Sequence, residues 1–287
     1  MILTNSSAAE VGTSDVKAIL SSTSLFRQFM CYMAITLSQA ISGTVGVIKN
    51  GIGGLTFSGT TNYTGSTQIN GGQIVIVGTS TLNGVISGTG VLTKTGTTTL
   101  TLGGNNTYSG GTVYAPTSAT GTITFISGNA FGTGLFTAQG QCQIITGGNV
   151  TLPNNFQINT GTTLQYRTAG ANTITVTGNI AGSGGINKTG NGTINLTAST
   201  LTYTGSTNRQ AGFIVASKTT GASTATATFG AGLSVSFNVA PPTGITTFRF
   251  FQGTTVNSYA SVTLVGVPVG TTATYTSATS TLTVIVP

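Results

Sequence analysis

Histidine and tryptophan are absent from this sequence, and acidic residues are almost absent. The two acids, Glu10 and Asp15, both lie near the N-terminus, so residues 16–287 contain no Asp, Glu or His. This stretch therefore cannot supply paired carboxylates for glycoside hydrolysis, a Ser-His-Asp triad or a carboxylate-rich calcium site. The composition predicts a protein that is not an enzyme and that has no cofactor or metal site.

Cysteine is scarce as well, because Cys31 and Cys142 are the only two in the chain. Two residues so far apart give neither a disulfide framework nor the close spacing of a zinc site. We expect two buried thiols. The alternative is a single bridge that joins an N-terminal helix to the rest of the chain.

Charged residues make up only 4% of the chain, against roughly 25% in an average globular protein. The net charge of +7 comes from cations that are scattered along the sequence and form no basic cluster, so we predict no nucleic-acid partner. No segment approaches the ~18 consecutive apolar residues of a membrane-spanning helix, so we predict no transmembrane segment. The low charge, together with a positive mean hydropathy of +0.30, argues against disorder.

Threonine and glycine dominate what is present. Threonine is the commonest residue and glycine follows with 43 copies. Threonine is β-branched and favours strands, whereas glycine permits the sharp turns between them. Short runs such as residues 74–77 and 99–102 have strand patterns and are separated by glycine-rich turns. These features predict an all-β protein.

The N-terminal segment differs, because residues 14–42 have the apolar periodicity of an amphipathic helix. Ser14 suits its N-cap and Gly43 its end. Apolar residues recur at three- and four-residue intervals, with one longer gap, at Val16, Ile19, Leu20, Phe26, Met30, Met33, Leu37 and Ile41. We expect this helix either to cap the β body or to anchor the chain to a partner. The candidate partner contacts are Phe26, Phe29, Met30, Met33 and Leu37.

Three stretches of the chain, 47–77, 91–114 and 185–215, align with one another. Each has a lysine that is followed, at a nearly constant distance, by a tyrosine. The pairs are Lys49 with Tyr63, Lys94 with Tyr108, and Lys188 with Tyr203. The separations between successive lysines are close to one and two periods of about 46 residues.

Self-similarity at a fixed period predicts a repeat architecture, because one coil of chain cannot bury its apolar side chains alone and stacked coils can. A period of about 46 residues suits two coils of roughly 20–25 residues each, which favours a parallel β-solenoid. We expect the repeat lysines at solvated coil edges. The predicted organisation is an N-terminal arm and helix over 1–42, a solenoid body over 43–240, and a C-terminal β cap over 241–287.

The segment from Gly88 to Thr112, GTGVLTKTGTTTLTLGGNNTYSGGT, resembles the passenger-associated transport repeat of autotransporter passengers and related bacterial surface proteins. Residues 261–286 are similar to the tail that follows such repeats. The resemblance implies a right-handed parallel β-helix. It also implies that the chain contributes shape and surface, with no catalytic residues to transfer.

Two functions follow from these features. The one we favour is a structural protein of a large assembly, a viral minor capsid or fibre component. It would be anchored in the virion through the N-terminal helix, with other structural proteins or copies of itself as partners. The retained Met1 and the lack of a signal-peptide pattern favour this hypothesis. The alternative, favoured by the repeat resemblance, is a bacterial adhesin or autotransporter-passenger-like protein at the cell surface or secreted.

Overall fold

The structure is a computed structural model that describes residues 2–4, 26–118, 121–197, 200–220, 223–229, 233–237, 240–250, 262–278 and 281–287. Within these ranges all of the regular secondary structure is β-strand, which confirms the all-β prediction. The first strands are β1 (Ile2–Thr4), β2 (Phe26–Met30), β3 (Ile35–Leu37), β4 (Ile41–Gly43), β5 (Gly46–Asn50), β6 (Gly54–Phe57), β7 (Thr61–Tyr63), β8 (Thr67–Ile69), β9 (Gln73–Ile76), β10 (Ser80–Leu82), β11 (Ile86–Gly88), β12 (Val91–Lys94), β13 (Thr99–Leu102), β14 (Thr112–Tyr114), β15 (Thr122–Phe125) and β16 (Phe136–Ala138). The remaining strands are β17 (Gln141–Thr146), β18 (Val150–Leu152), β19 (Phe156–Ile158), β20 (Thr163–Thr168), β21 (Thr173–Val176), β22 (Ile180–Gly182), β23 (Gly185–Thr189), β24 (Thr193–Leu196), β25 (Thr207–Arg209), β26 (Phe213–Thr220), β27 (Ser223–Phe229), β28 (Leu233–Phe237), β29 (Gly244–Arg249), β30 (Val262–Val265), β31 (Thr272–Thr276) and β32 (Thr281–Val286).

The chain divides into two compact units. Unit 1 comprises Met1–Ile145 and Pro153–Phe156, and unit 2 comprises Thr146–Leu152 and Gln157–Pro287. The predicted boundaries at residues 42 and 240 stay predictions.

Unit 1 is a stack of coils with three parallel sheets. Sheet A has the strand order β1-β2-β5-β8-β11, sheet B contains β3-β6-β9-β12-β14-β16, and sheet C contains β4-β7-β10-β13-β15. From β3 to β13 the strands visit the sheets in strict rotation, so every third strand returns to the same sheet one coil later. This arrangement confirms the predicted parallel β-solenoid.

Register gives the length of one coil in unit 1. Thr61 pairs with Ile41 on one side and with Ser80 on the other, so a coil here takes roughly 20 residues, within the usual range of solenoid repeats. Further along, Thr99 pairs with Thr122, which makes that coil slightly longer. The coils are therefore about as long as the sequence predicts.

The core of unit 1 is built from the inward side chains of these short strands. Neighbouring coils align Leu82 with Leu102 and Leu102 with Phe125, and all three side chains are buried. Fully burying one such side chain stabilises a fold by about 1.5–3 kcal/mol. A stack of aromatic rings fills part of the same core, with centroid distances of 5.0, 4.8 and 5.1 Å between successive members of the series Phe125, Phe131, Phe136 and Phe156.

Unit 2 begins with parallel coils and then changes its strand pairing. Strands β18, β21, β24 and β26 are parallel neighbours in one sheet, and β20, β23 and β25 are parallel neighbours in another. After β26 the chain reverses, because β27 pairs antiparallel with both β26 and β28. A separate antiparallel sheet has the order β29-β32-β31. The parallel coils of unit 2 therefore end in antiparallel hairpins.

The predicted N-terminal helix is not found in the described residues. Its second half forms β2, β3 and the start of β4, whereas residues 14–25 lie outside the described residues. The physical reason is that the chain here is extended, so alternate side chains point inward as in β3, whose Ile35 and Leu37 are buried and whose Thr36 is exposed. Cys31 is buried as well, while Met33, on the predicted apolar face, is 47% exposed.

Candidate functional site: the repeat residues and the outer faces

The three repeat lysines are buried in the strands and not solvated. Lys49, Lys94 and Lys188 all have 0% exposure, so the prediction of solvated coil edges was wrong. Each lysine stands two residues before a glycine with positive φ, a backbone conformation that glycine adopts without steric cost. These glycines are Gly51, Gly96 and Gly190, with φ of 77°, 69° and 72°. The Lys-x-Gly triplet therefore forms a corner of the coil, and its lysine side chain is buried inside the solenoid.

Lys49 shows what the buried ammonium does. Its Nζ donates to the carbonyl oxygens of Asn50 and Gly51 at 3.0 and 2.8 Å, and to that of Gly71 in the next coil at 3.0 Å. Three donors on one ammonium therefore satisfy three backbone acceptors. Since Gly71 belongs to the next coil, Lys49 joins two successive corners.

Lys188 repeats the arrangement with two carbonyls and one hydroxyl as partners, and Lys94 repeats it with one carbonyl. Lys188 Nζ donates to the carbonyls of Thr189 and Gly190 at 2.5 and 2.8 Å and lies 3.5 Å from Thr168 Oγ1 of the preceding coil. Lys94 Nζ donates to the carbonyl of Thr95.

Burial disfavours the charged form of these lysines. It lowers the pKa of Lys94 to about 8. It also lowers the pKa of Lys188 to about 8, with a smaller contribution from the neighbouring cation of Arg209. The pKa of Lys49 is lowered by burial too, and the nearby Cys31 partly offsets the effect.

The repeat tyrosines point into the core and bond to a threonine four residues later. Each hydroxyl lies within hydrogen-bond distance of a threonine Oγ1: Tyr63 to Thr67 at 2.6 Å, Tyr108 to Thr112 at 2.5 Å, and Tyr203 to Thr207 at 2.5 Å. All three tyrosines are buried, and burial raises the pKa of Tyr108 and Tyr203 well above the usual value. They remain neutral hydrogen-bonding groups at physiological pH.

Register shows that the repeat describes one full coil. In every copy the residue two positions before the lysine pairs with the threonine that lies one coil further along the chain. The pairs are Val47 with Thr67, Leu92 with Thr112, and Ile186 with Thr207. A lysine corner therefore opens the coil and a tyrosine–threonine bond closes it. Nearly all of the repeated side chains face inward.

The spacing between copies is not a whole number of coils. Within unit 1, Lys49 lies in β5 of sheet A and Lys94 lies in β12 of sheet B. The chain between them therefore makes two coils and part of a third. The repeat lysines of unit 1 do not share one face, although the period had predicted two whole coils.

Both cysteines are buried free thiols, so the buried-thiol prediction is confirmed and the alternative of a bridge between them is wrong. Burial raises the pKa of the Cys142 thiol to about 12, and also raises that of Cys31. Neither thiol is a nucleophile at physiological pH, because only the thiolate reacts. The part of the chain that the structure describes contains no group of three or more metal-ligating side chains.

The candidate partner contacts fall into three groups. Phe29 and Leu37 are buried in unit 1. The side chains of Phe26 and Met30 lie outside the described residues, although their backbones belong to β2. Met33 is exposed beside Tyr32, which is 58% exposed. Among the described side chains, Met33 is thus the predicted residue that a partner can reach.

Few of the cations whose side chains are described reach the surface. Of the cations whose side chains are described, Lys49, Lys94 and Lys188 are buried, Arg209 is half-buried and Arg167 is exposed. Much of the positive charge in the described part of the chain therefore lies inside the fold. The same part holds no helical segment with the length and hydropathy that a bilayer crossing requires.

Comparison with known proteins agrees with this geometry. Residues 47–76, 92–113 and 186–213 match the family described as passenger-associated-transport-repeat. No curated protein and no solved structure matches the chain. Each matched stretch begins two residues before a buried lysine and reaches the strand that returns to its sheet one coil later. Three stretches of the chain therefore match the passenger-associated-transport repeat, and their repeated Lys, Tyr and Thr side chains build coils of a parallel β-solenoid.

Proposed function

We propose that this chain is a non-catalytic, passenger-like β-solenoid that a bacterium presents on its surface or secretes. One observation carries the proposal: three stretches of the chain match the passenger-associated-transport repeat, and the side chains they share are buried structural groups. The repeats thus supply a rigid body whose recognition chemistry would lie in the outward residues between them.

The surface location is supported by the repeat, whose family description refers to transported passengers. The virion hypothesis gains no comparable support, since it depended on the chain start and on an N-terminal helix that the described residues lack.

The lack of catalysis is supported by chemistry. Residues 16–287 contain no carboxylate and no imidazole in their side chains, so proton transfer would fall to lysine, tyrosine or cysteine. The repeat lysines and tyrosines and both cysteines are buried, which leaves them out of reach of a substrate.

Localisation in the native cells tests the proposal. Antibodies against the folded protein should label intact cells or detect it in the medium, and proteinase added to intact cells should remove the cell-bound signal. An abundant cytosolic enzyme should remain protected in the same cells. Recovery of the protein only in the cytosol, or only in sedimenting virus particles, would contradict surface presentation.

A further inference from the structure

On the outer side of sheet C in unit 1, half-exposed threonine side chains align from one coil to the next. Neighbouring coils align Thr81 with Thr101 and Thr101 with Thr124, and a second column pairs Thr99 with Thr122. Their neighbours in each strand, such as Leu100 and Ile123, are fully buried, so these threonines point outward. We call Thr81, Thr99, Thr101, Thr122 and Thr124 the threonine face.

The array is regular and rigid. Adjacent coils in a sheet are about 4.7–4.9 Å apart, and alternate residues along one strand are roughly 6.6 Å apart. Threonine is stiff at χ1 because it is branched at Cβ. Thr99 and Thr122 also join their hydroxyls at 2.9 Å across two coils, which fixes their rotamers further.

The threonine face differs in composition from the outward positions of sheet B in unit 1. The outer column of sheet B mixes threonine and valine, with Thr36 aligned to Thr56, Thr56 to Val75 and Val75 to Thr93. Strands β10, β13 and β15 of sheet C contain no valine and no charged residue, and their one aromatic, Phe125, is buried.

A preordered grid of methyl and hydroxyl groups matches a ligand that is itself periodic. A flexible polymer would lose conformational entropy on lying flat against such a grid, whereas a crystalline surface is already ordered. The face has no aromatic ring on which a sugar ring could stack. Its coil repeat of about 4.7–4.9 Å is close to the shortest lattice repeat of hexagonal ice. We infer that the threonine face binds ordered water at an ice surface, an activity that does not depend on where the protein is located.

Slow freezing of a dilute solution around a cold finger tests this inference. The full-length chain should enter the growing ice in excess of an inert globular protein, and it should inhibit ice recrystallisation. The double variant T101Y/T124Y places two large rings on the grid while keeping residues that favour strands. It should lose the enrichment in ice, with a far-UV circular dichroism spectrum that matches the parent.

The matched control is the double variant T36Y/T56Y, which makes the same two changes at aligned outward positions of sheet B. It should keep the full enrichment. Exclusion of the parent chain from ice, or equal loss in T36Y/T56Y and T101Y/T124Y, would overturn the inference. Sedimentation of the parent with microcrystalline cellulose or chitin, without enrichment in ice, would also overturn it and would identify a crystalline polysaccharide as the ligand.

Discussion

At the level of single residues, the buried lysines are the most informative groups in the structure. An ammonium inside a fold is costly unless its protons are all donated to acceptors. Lys49 meets that condition with three carbonyls, whereas Lys94 donates to one, that of Thr95. The stabilisation from each lysine should therefore follow the number of carbonyls it binds.

Replacing the lysines with methionine tests this ranking. Methionine has similar length and no charge, so it removes the hydrogen bonds while filling much of the same space. We predict that Lys49→Met lowers the free energy of unfolding by about 1–3 kcal/mol, because backbone acceptors lose their donor. Lys94→Met should cost less, and replacing a poorly satisfied buried charge can even stabilise a fold. Urea denaturation of the two variants measures the difference, and a larger loss for Lys94→Met would contradict the ranking.

The tyrosine–threonine bond can be tested in the same way. Tyr108→Phe removes a buried hydroxyl that lies 2.5 Å from Thr112 Oγ1. Thr112 retains a second partner, the carbonyl of Phe131 at 3.2 Å, so no buried donor is left alone. We predict a loss of about 1 kcal/mol in the free energy of unfolding. Tyr32→Phe, at an exposed position, should change it by less than the error of the measurement. Equal effects from both variants would refute a stabilising role for the bond.

Stability should depend on pH in the alkaline range. Burial lowers the pKa of Lys94 and Lys188 to about 8, whereas an unfolded lysine has a pKa of about 10.4. Between these values the two lysines bind more protons in the unfolded chain than in the folded one, so their contribution to the free energy of unfolding rises with pH. The buried thiols act in the opposite direction, because an unfolded cysteine ionises near about pH 8.5 while burial raises the pKa of Cys142 to about 12 and also raises that of Cys31. Above about pH 10 the tyrosines act in the same direction as the thiols, because an unfolded tyrosine ionises there while burial keeps the pKa of Tyr108 and Tyr203 higher.

We therefore predict that the urea midpoint of the parent chain, relative to that of the double variant K94M/K188M, increases from about pH 8 to about pH 10. Both chains should lose stability above that range, where the buried tyrosines keep protons that the unfolded chain releases. A difference between the two midpoints that stays constant over the range would show that these lysines remain protonated in the fold.

At the level of elements, the glycine corners set how closely the coils stack. Gly72 has φ of +59°, and a Cβ at this position would lie 2.3 Å from the carbonyl oxygen of Gly53 in the preceding coil. Gly54, also in unit 1, has no positive φ, and the nearest atoms to an added Cβ are 3.7 Å away in the Gln73 side chain. Of these two positions, only the first excludes a side chain.

Alanine substitutions should separate the two glycines. Gly72→Ala should lower the free energy of unfolding by about 2 kcal/mol or more, through the left-handed backbone and the collision between coils. Gly54→Ala should be neutral or stabilising by up to about 1 kcal/mol, because it restricts the unfolded chain. Thermal or urea unfolding gives both values. Similar losses at both positions would contradict the close stacking of the corners.

The sequence predicted the strands better than it predicted the N-terminal element. Threonine-rich runs and glycine turns correctly indicated short strands and the length of one coil. Residues 26–42 were wrongly predicted to be helical because very short strands joined by short turns place apolar residues at irregular intervals, some of which equal those of a helix. Leu37 and Ile41 fit both patterns, and only the exposure of Met33 separates them.

The buried lysines were missed for a related reason. Lysine is almost never fully buried unless its charge is satisfied, so solvent exposure was the natural expectation. The sequence did hold a signal: in all three copies the lysine stands two positions before a glycine and at a nearly constant distance before a tyrosine. A charged residue fixed so closely relative to turn and core residues indicates a role inside the coil.

At the level of the whole molecule, composition and fold give a protein whose shared repeat residues are internal. Its net charge of +7 overstates the charge available to a partner, because at least three of the nine cations are buried. We predict that the native protein elutes from immobilised duplex DNA well below physiological salt, since few cations can displace counterions. Strong retention with a steep dependence on salt would instead indicate a basic surface that contacts phosphates.

The central claim is that the repeated residues build the solenoid from inside, and the lysines give the most direct test. The native chain should be treated briefly with an amine-acylating reagent and analysed by peptide mass spectrometry, beside a chain unfolded in denaturant. We predict that Lys49, Lys94 and Lys188 remain unmodified in the native protein and react readily in the unfolded one. Modification of all three at the same rate in both states would place them on the surface and contradict the account.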